Sequence, residues 1–228
     1  MTSTIRPRLD ILPPSQRRLW DELGAVPAHF VLYGGTGLAL QLGHRRSEDF
    51  DFFADRNIDP DRLYRSTPFL RDARIIQEEP NTLTCLVDRD GPVKVSFFGL
   101  PHLARIQAPV NAEDNGLQIA SLLDIAGTKA SVVQQRAQAK DYIDIDALIT
   151  LAGIDLATQL AAARAVHGPH FAPTPTLKAL TYFGDGDLPS LPDEVRTRLA
   201  RAASAVDPLR LPSLDNGPTS DSTRTTEQ

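Results

Sequence analysis

The sequence predicts an α+β fold: a mixed sheet with flanking helices up to about residue 120, then a helical second half. Three observations carry this. The apolar run Phe30-Val-Leu-Tyr33 ends in Gly34-Gly35-Thr36-Gly37, so a strand gives way to a turn and a helix. Three strand-like runs follow within residues 73–98, separated by turn residues. Beyond Ser121, apolar residues recur at helical spacing, interrupted by glycine and proline.

Pro13-Pro14-Ser15 closes an irregular leader, and Ser15 is read as the cap of a helix running through Trp20 and Leu23 to about Ala25. After the first strand and the glycine turn, Thr36 stands where a helix N-cap belongs. Ser47-Glu-Asp49-Phe-Asp51-Phe-Phe53 is the second strand-like run. Asp59-Pro60-Asp61 has the cap-then-proline form of a short helix start. Ala73–Gln77, Asn81–Val87 and Pro92–Phe98 read as strands, with Asp88-Arg-Asp90-Gly91 as a hairpin turn, and Gly116–Ile119 as one further short strand. Ser121-Leu-Leu-Asp124 resembles a capping box at the head of the helical half. Helices are expected over residues 139–151, 155–166, 174–183 and 193–205. This divides the chain into an α/β domain over residues 1–120 and a helical domain over 121–211 that completes a cleft. The Ser-, Thr- and Asp-rich tail 212–228 is expected to be disordered.

Chemistry concentrates at the glycine turn and the Asp-x-Asp run. Alternation along a strand puts Asp49 and Asp51 on one face and Phe50 and Phe52 on the other. Two carboxylates can hold a divalent cation such as Mg²⁺, with Mn²⁺ as a substitute, through oxygen. Gly34 and Gly35 let the backbone approach a phosphate closely, and the Thr36 hydroxyl can serve either the first helical turn or a phosphate oxygen. Together these are the parts needed to move a phosphate group. Ser47 either bonds a phosphate or caps its turn, and His44 is assigned to ordering the loop. Lys140 and Asp144, four apart, can pair on a helix face.

The net charge of −5 argues against a protein that coats nucleic acid non-specifically, but leaves room for a local basic patch of Arg45, Arg46, Lys129, Arg136 and Lys140. The one cysteine, Cys85, excludes an internal disulfide and reads as a packing residue. His102, His167 and His170 show no zinc-site spacing. With no apolar run of membrane-spanning length and no secretory signal, the expected location is the cytoplasm.

Gly34-Gly35-Thr36, Gly43-His-Arg-Arg-Ser-Glu-Asp-Phe-Asp-Phe-Phe53, Lys129 and Lys140-Asp-Tyr-Ile-Asp144 together resemble the AbiEii/AbiGii toxin group of the DNA polymerase β-like nucleotidyltransferases. The resemblance runs from about residue 30 to about residue 185. It implies a polymerase β-like mixed sheet followed by a helical domain, and NMP transfer from an NTP to a hydroxyl. The implied acceptor is RNA, preferably a tRNA 3′ end, within a type IV toxin–antitoxin or abortive-infection system that supplies a cognate antitoxin. Asp49 and Asp51 would hold metal; Gly34, Gly35, Thr36, Arg45 and Ser47 would bind nucleotide. Lys129 and Asp141 match the family's functional lysine and aspartate: the first would contact the triphosphate, the second would complete the metal site or act as general base. Ser96 stands where the superfamily places a third carboxylate. Asp141 or Asp144 could substitute, or a single metal could suffice. The alternatives are a catalytically reduced protein that binds nucleotide or a partner without turnover, and a transferase acting on a small molecule.

Overall fold

A strand that buries alternate side chains, Phe50, Phe52 and Ala54, and leaves Asp51 and Phe53 on its other face organises this molecule. In the computed structural model, which describes residues 3–214, the first half contains strands β1 (Thr4–Ile5), β2 (Val31–Leu32) and β3 (Phe50–Ala54), with helices α1 (Pro14–Trp20), α2 (Gly34–Leu42) and α3 (Pro60–Ser66). The strands β4 (Arg74–Glu79), β5 (Thr82–Asp88), β6 (Pro92–Gly99), β7 (Val110–Ala112) and β8 (Gln118–Ile119) follow. Five helices complete the described chain: α4 (Leu122–Val132), α5 (Ala139–Thr150), α6 (Leu156–His167), α7 (Pro173–Ala179) and α8 (Asp193–Ala205).

All eight strands form one mixed sheet in the order β1-β7-β8-β2-β3-β6-β5-β4. β3 runs parallel to β6 in a register that sets Asp51 beside Ser96 and Phe52 beside Phe97. Phe50, Phe52 and Phe97 are fully buried, and the Phe52 and Phe97 rings stack at 5.2 Å. They share a core with Leu19, Trp20 and Leu23 from α1 and the 3-10 turn after it. Against the opposite face of the sheet, α2 meets α4 and α5 through Val31, Leu38, Ile125 and Leu148. Tyr142, Leu160, Leu180 and Leu199 centre the core of the helical half.

Local capping explains several helix starts. Asp59 accepts a hydrogen bond from the Arg62 amide at 3.1 Å, Ser121 from the Asp124 amide at 3.0 Å, and Asp155 from the Thr158 amide at 2.7 Å. The expected turn between β5 and β6 forms with Asp90 and Gly91 at positive φ.

The structure corrects four expectations. Ser15 lies inside α1, not at its cap, and its hydroxyl donates to the Asp90 carbonyl. The helix it was to begin ends at Trp20 and tightens into a 3-10 segment, Asp21–Ala25. Thr36 is likewise interior to α2, whose N-cap is Tyr33. Finally, the leader read as irregular contributes β1, which pairs in parallel with β7, a strand the sequence did not signal; at two and three residues both are too short to show a period. Of the tail expected to be disordered, residues 215–228 lie outside the described residues. No helix among the described residues is long and apolar enough to cross a membrane. Cys85 is buried in β5, with its thiol pKa pushed up to about 11 by burial.

Candidate active site

The glycine turn is shaped by the chain's own functional groups. Gly34 has φ +69°, and a Cβ there would sit 3.1 Å from Asp51 Oδ2. A Cβ on Gly35 would lie 2.2 Å from Arg45 Nη2, inside any allowed contact. A carboxylate and a guanidinium therefore close directly on the turn; the left-handed φ favours glycine at 34, and a side chain at 35 would have to displace the Arg45 guanidinium. Thr36 is buried; its hydroxyl donates to the Asp49 carbonyl and is 2.7 Å from Ser47 Oγ. Gln16 holds the Glu48 carbonyl at 2.8 Å from the other side. The segment leading into β3 is thus pinned on both sides before the first aspartate.

Asp49 and Asp51 both line a cleft of about 1070 Å³ between the sheet and the start of the helical half. Burial, and then the charge of Asp49, raise the Asp51 pKa above the usual carboxylate range, against opposing effects of Lys94, Ser96 and Lys129. Ser96 is the register partner of Asp51 and lines the same cleft. Lys94, two residues earlier on the same face of β6, places its ammonium 3.0 Å from Asp49 Oδ2.

A second layer of charge faces this pair from α4 and α5. Asp144, fully buried, accepts a two-pronged hydrogen bond from Arg45 at 2.6 and 2.8 Å. It also engages His44 Nε2 at 2.7 Å and the Lys129 ammonium. Asp141, equally buried, takes Lys129 Nζ at 2.8 Å and Arg136 Nε at 2.7 Å. Burial alone would raise the pKa of both carboxylates. For Asp144 the Lys129 charge and the His44 and Arg45 contacts outweigh burial, and for Asp141 Arg136 and Lys129 do; both lie below the ordinary range. Three basic side chains, Arg45, Lys129 and Arg136, thus surround two carboxylates, one more basic group than acidic. That excess is felt across the cleft: Lys129 lowers the Asp51 pKa, and Asp51 contributes to raising that of Arg136.

The sequence model of the family described as "Nucleotidyl transferase AbiEii toxin, Type IV TA system" matches residues 18–219, spanning both the sheet and the helical half. The chain belongs to this AbiEii family. An uncharacterised protein of Aquifex aeolicus (strain VF5) is 36% identical over 129 residues, 56% of this chain. That match covers 61% of the Aquifex protein, so the chain spans about three fifths of that relative's length. Among solved structures, a proposed nucleotidyltransferase from H. pylori superposes with a TM-score of 0.52 at 21% identity, covering 83% of this chain and 92% of that one. MenT4, a nucleotidyltransferase toxin of Mycobacterium tuberculosis H37Rv, reaches a TM-score of 0.48 at 15% identity, covering 82% of each chain. The H. pylori likeness shows that the mixed sheet and helices form the nucleotidyltransferase fold that the AbiEii motifs imply.

Within this AbiEii-family cleft, Gly34, Gly35, Arg45, Ser47, Asp49, Asp51 and Lys129 form part of the lining. Thr36 and Asp141 stand behind it, Thr36 against the Asp49 carbonyl and Asp141 beneath Lys129 and Arg136. The anticipated pairing of Lys140 with Asp144 is corrected. Asp144 points inward to Arg45, His44 and Lys129, while Lys140 is exposed at the cleft rim. The five-residue basic patch is also reduced, because Arg45, Lys129 and Arg136 are engaged by buried carboxylates. Arg46 and Lys140 have no carboxylate partner among the described residues. Sequence reasoning missed Lys94 as a partner of Asp49, and His44 as a partner of Asp144. The only signal for Lys94 was its place two residues before Ser96 on the same strand face.

Proposed function

We propose that this AbiEii-family protein transfers an NMP from an NTP to an acceptor hydroxyl on RNA, preferably a tRNA 3′ end, with Mg²⁺ as cofactor and Mn²⁺ as a substitute. It would act as the toxin of a type IV pair whose antitoxin restrains it. The observation that supports this best is one cleft with the Asp49–Asp51 pair on one side and the Lys129–Arg136 cations on the other. The acceptor hydroxyl gives its proton to solvent as its oxygen bonds to the α-phosphorus, the bond from that phosphorus to the β-phosphate oxygen breaks, and pyrophosphate leaves.

The donors on the sheet side fit a single hard cation. Asp49 and Asp51 supply carboxylate oxygens and Ser96 a neutral hydroxyl beside Asp51. No cluster of three or more His, Cys, Asp or Glu side chains suited to a metal occurs among the described residues. Water and substrate phosphate would fill the remaining positions, the arrangement Mg²⁺ favours. When bound, such an ion neutralises charge developing on the α-phosphate. Burial and the neighbouring Asp49 raise the Asp51 pKa, so a divalent cation held between the two carboxylates would favour the charged form of Asp51.

The chain's own groups divide the remaining work. Amide groups of the Gly34–Gly35 turn, at the positive end of α2, receive phosphate oxygens. Lys129 and Arg136 stabilise the charge that builds on pyrophosphate, oriented by Asp141 and Asp144. Asp141 does not serve as a base, because both its oxygens accept hydrogen bonds from cations and its pKa is lowered.

Incubation with Mg²⁺, each α-labelled NTP in turn and total tRNA tests this reading, beside an Asp49→Ala/Asp51→Ala variant. Label in tRNA with the wild type and at least a hundredfold less with the variant is the expected outcome. If Asp51→Ala leaves transfer intact, the assignment is wrong. The second reading, nucleotide binding without turnover, is favoured by Ser96 in place of an acid. It predicts Mg²⁺-dependent NTP binding with no label transferred to any acceptor.

A further inference from the structure

Lys94, on β6, is the cleft-lining cation that pairs with Asp49. Its ammonium lies 3.0 Å from Asp49 Oδ2, and the two side chains are 40% and 39% exposed. Both are therefore only partly buried, and Lys94 reaches Asp49 on a long apolar stem at the cleft wall, in contact with solvent. It shares its strand face with Ser96, the neutral residue opposite Asp51. Beside the Asp49–Asp51 pair, β6 therefore presents a lysine and a neutral serine where a third acid would have added negative charge.

We propose that Lys94 is a built-in counter-cation that competes with the metal for Asp49, so that the Asp49–Asp51 site binds free divalent cation weakly and fills when metal arrives with the nucleotide. This rests on the assignment of metal to Asp49 and Asp51. The physical basis is a competition for one carboxylate. A divalent ion entering alone must displace the ammonium from Asp49 and then sit beside it at like charge. A metal–nucleotide complex brings phosphate oxygens that give the displaced ammonium a new anionic partner, so the penalty is removed in the ternary complex. Ordered filling would leave the cleft without a tightly held metal until substrate is present.

Direct titration of Mn²⁺ into the nucleotide-free protein, by calorimetry and by the loss of free Mn²⁺ electron paramagnetic resonance signal, tests this without relying on activity. The proteins are the wild type, Lys94→Met, Lys94→Arg and Lys94→Met/Asp51→Asn, each checked for folding by circular dichroism. Lys94→Met should bind Mn²⁺ about tenfold more tightly than the wild type, an effect of about 1.4 kcal/mol. Lys94→Arg should retain the wild-type weakness, because it keeps the charge, and Lys94→Met/Asp51→Asn should lose the gain. Equal affinity of wild type and Lys94→Met, with binding abolished by Asp51→Asn, overturns the role of Lys94 and leaves the metal assignment standing. A tightened site that survives Asp51→Asn overturns the metal assignment itself.

Discussion

Gly35 has no room for even a methyl group, because Arg45 Nη2 would lie 2.2 Å from it. Gly35→Ala must therefore displace the guanidinium that clamps Asp144, and we expect a destabilisation of about 1–3 kcal/mol together with a fall in transfer rate. Thermal melting checks the first, and labelled-NTP incorporation the second. Gly35→Ala/Arg45→Lys should recover part of the stability if the clash is the cause. Thr36 tests a different kind of residue-scale dependence. Thr36→Val keeps the shape but removes the hydroxyl bonded to the Asp49 carbonyl and Ser47. It should cost about 1–3 kcal/mol as those buried groups lose a partner, measured by denaturant unfolding. Gly34, Gly35, Asp49 and Asp51 were legible in the sequence because a turn and an alternating strand have local signatures. Lys94 was not, because its contact with Asp49 spans 45 positions of sequence.

At the scale of elements, the α4–α5 pair is tied to the loop before β3 through Asp144. Removing that carboxylate strands Arg45 and Lys129 in a buried site, so Asp144→Ala should cost about 3–5 kcal/mol in urea unfolding, far more than Lys140→Ala at the rim. The same network sets a pH dependence. Asp141 and Asp144 have folded pKa values below those of the unfolded chain, so they bind fewer protons when folded. Their stabilisation is complete above the unfolded aspartate value of about 3.9 and is lost as pH falls through and below it. Asp51, raised by burial and by Asp49, works in the opposite sense and gains relative stability as it protonates. An acid titration of melting temperature should therefore fall more steeply below about pH 4 in the wild type than in a folded Asp144→Asn variant. The sequence placed Lys140 and Asp144 four apart and suggested a pair on one face. The helix instead turns Asp144 inward, where Arg45, from ninety-nine residues away in sequence, satisfies it more fully than a solvated lysine can.

Over the whole molecule, net acidity coexists with two rim cations, Arg46 and Lys140, that have no carboxylate partner among the described residues. If the acceptor is RNA, Arg46→Ala/Lys140→Ala should raise KM for tRNA severalfold, flatten its salt dependence, and leave kcat nearly unchanged. Steady-state transfer at two ionic strengths reads this directly, and an unchanged KM would favour a small acceptor. By itself the sequence determined the α+β class, the hairpin, most helix spans and the Asp-x-Asp strand. These follow from periodicity, turn chemistry and capping, all written within a few residues. Only the tertiary structure decided which charges remain available. Partners 12 to 100 residues apart convert Lys129, Arg45 and His44 into one network around Asp141 and Asp144. They also set Lys94 on Asp49, because the choice among competing ion pairs depends on burial and distance, which no local spacing encodes.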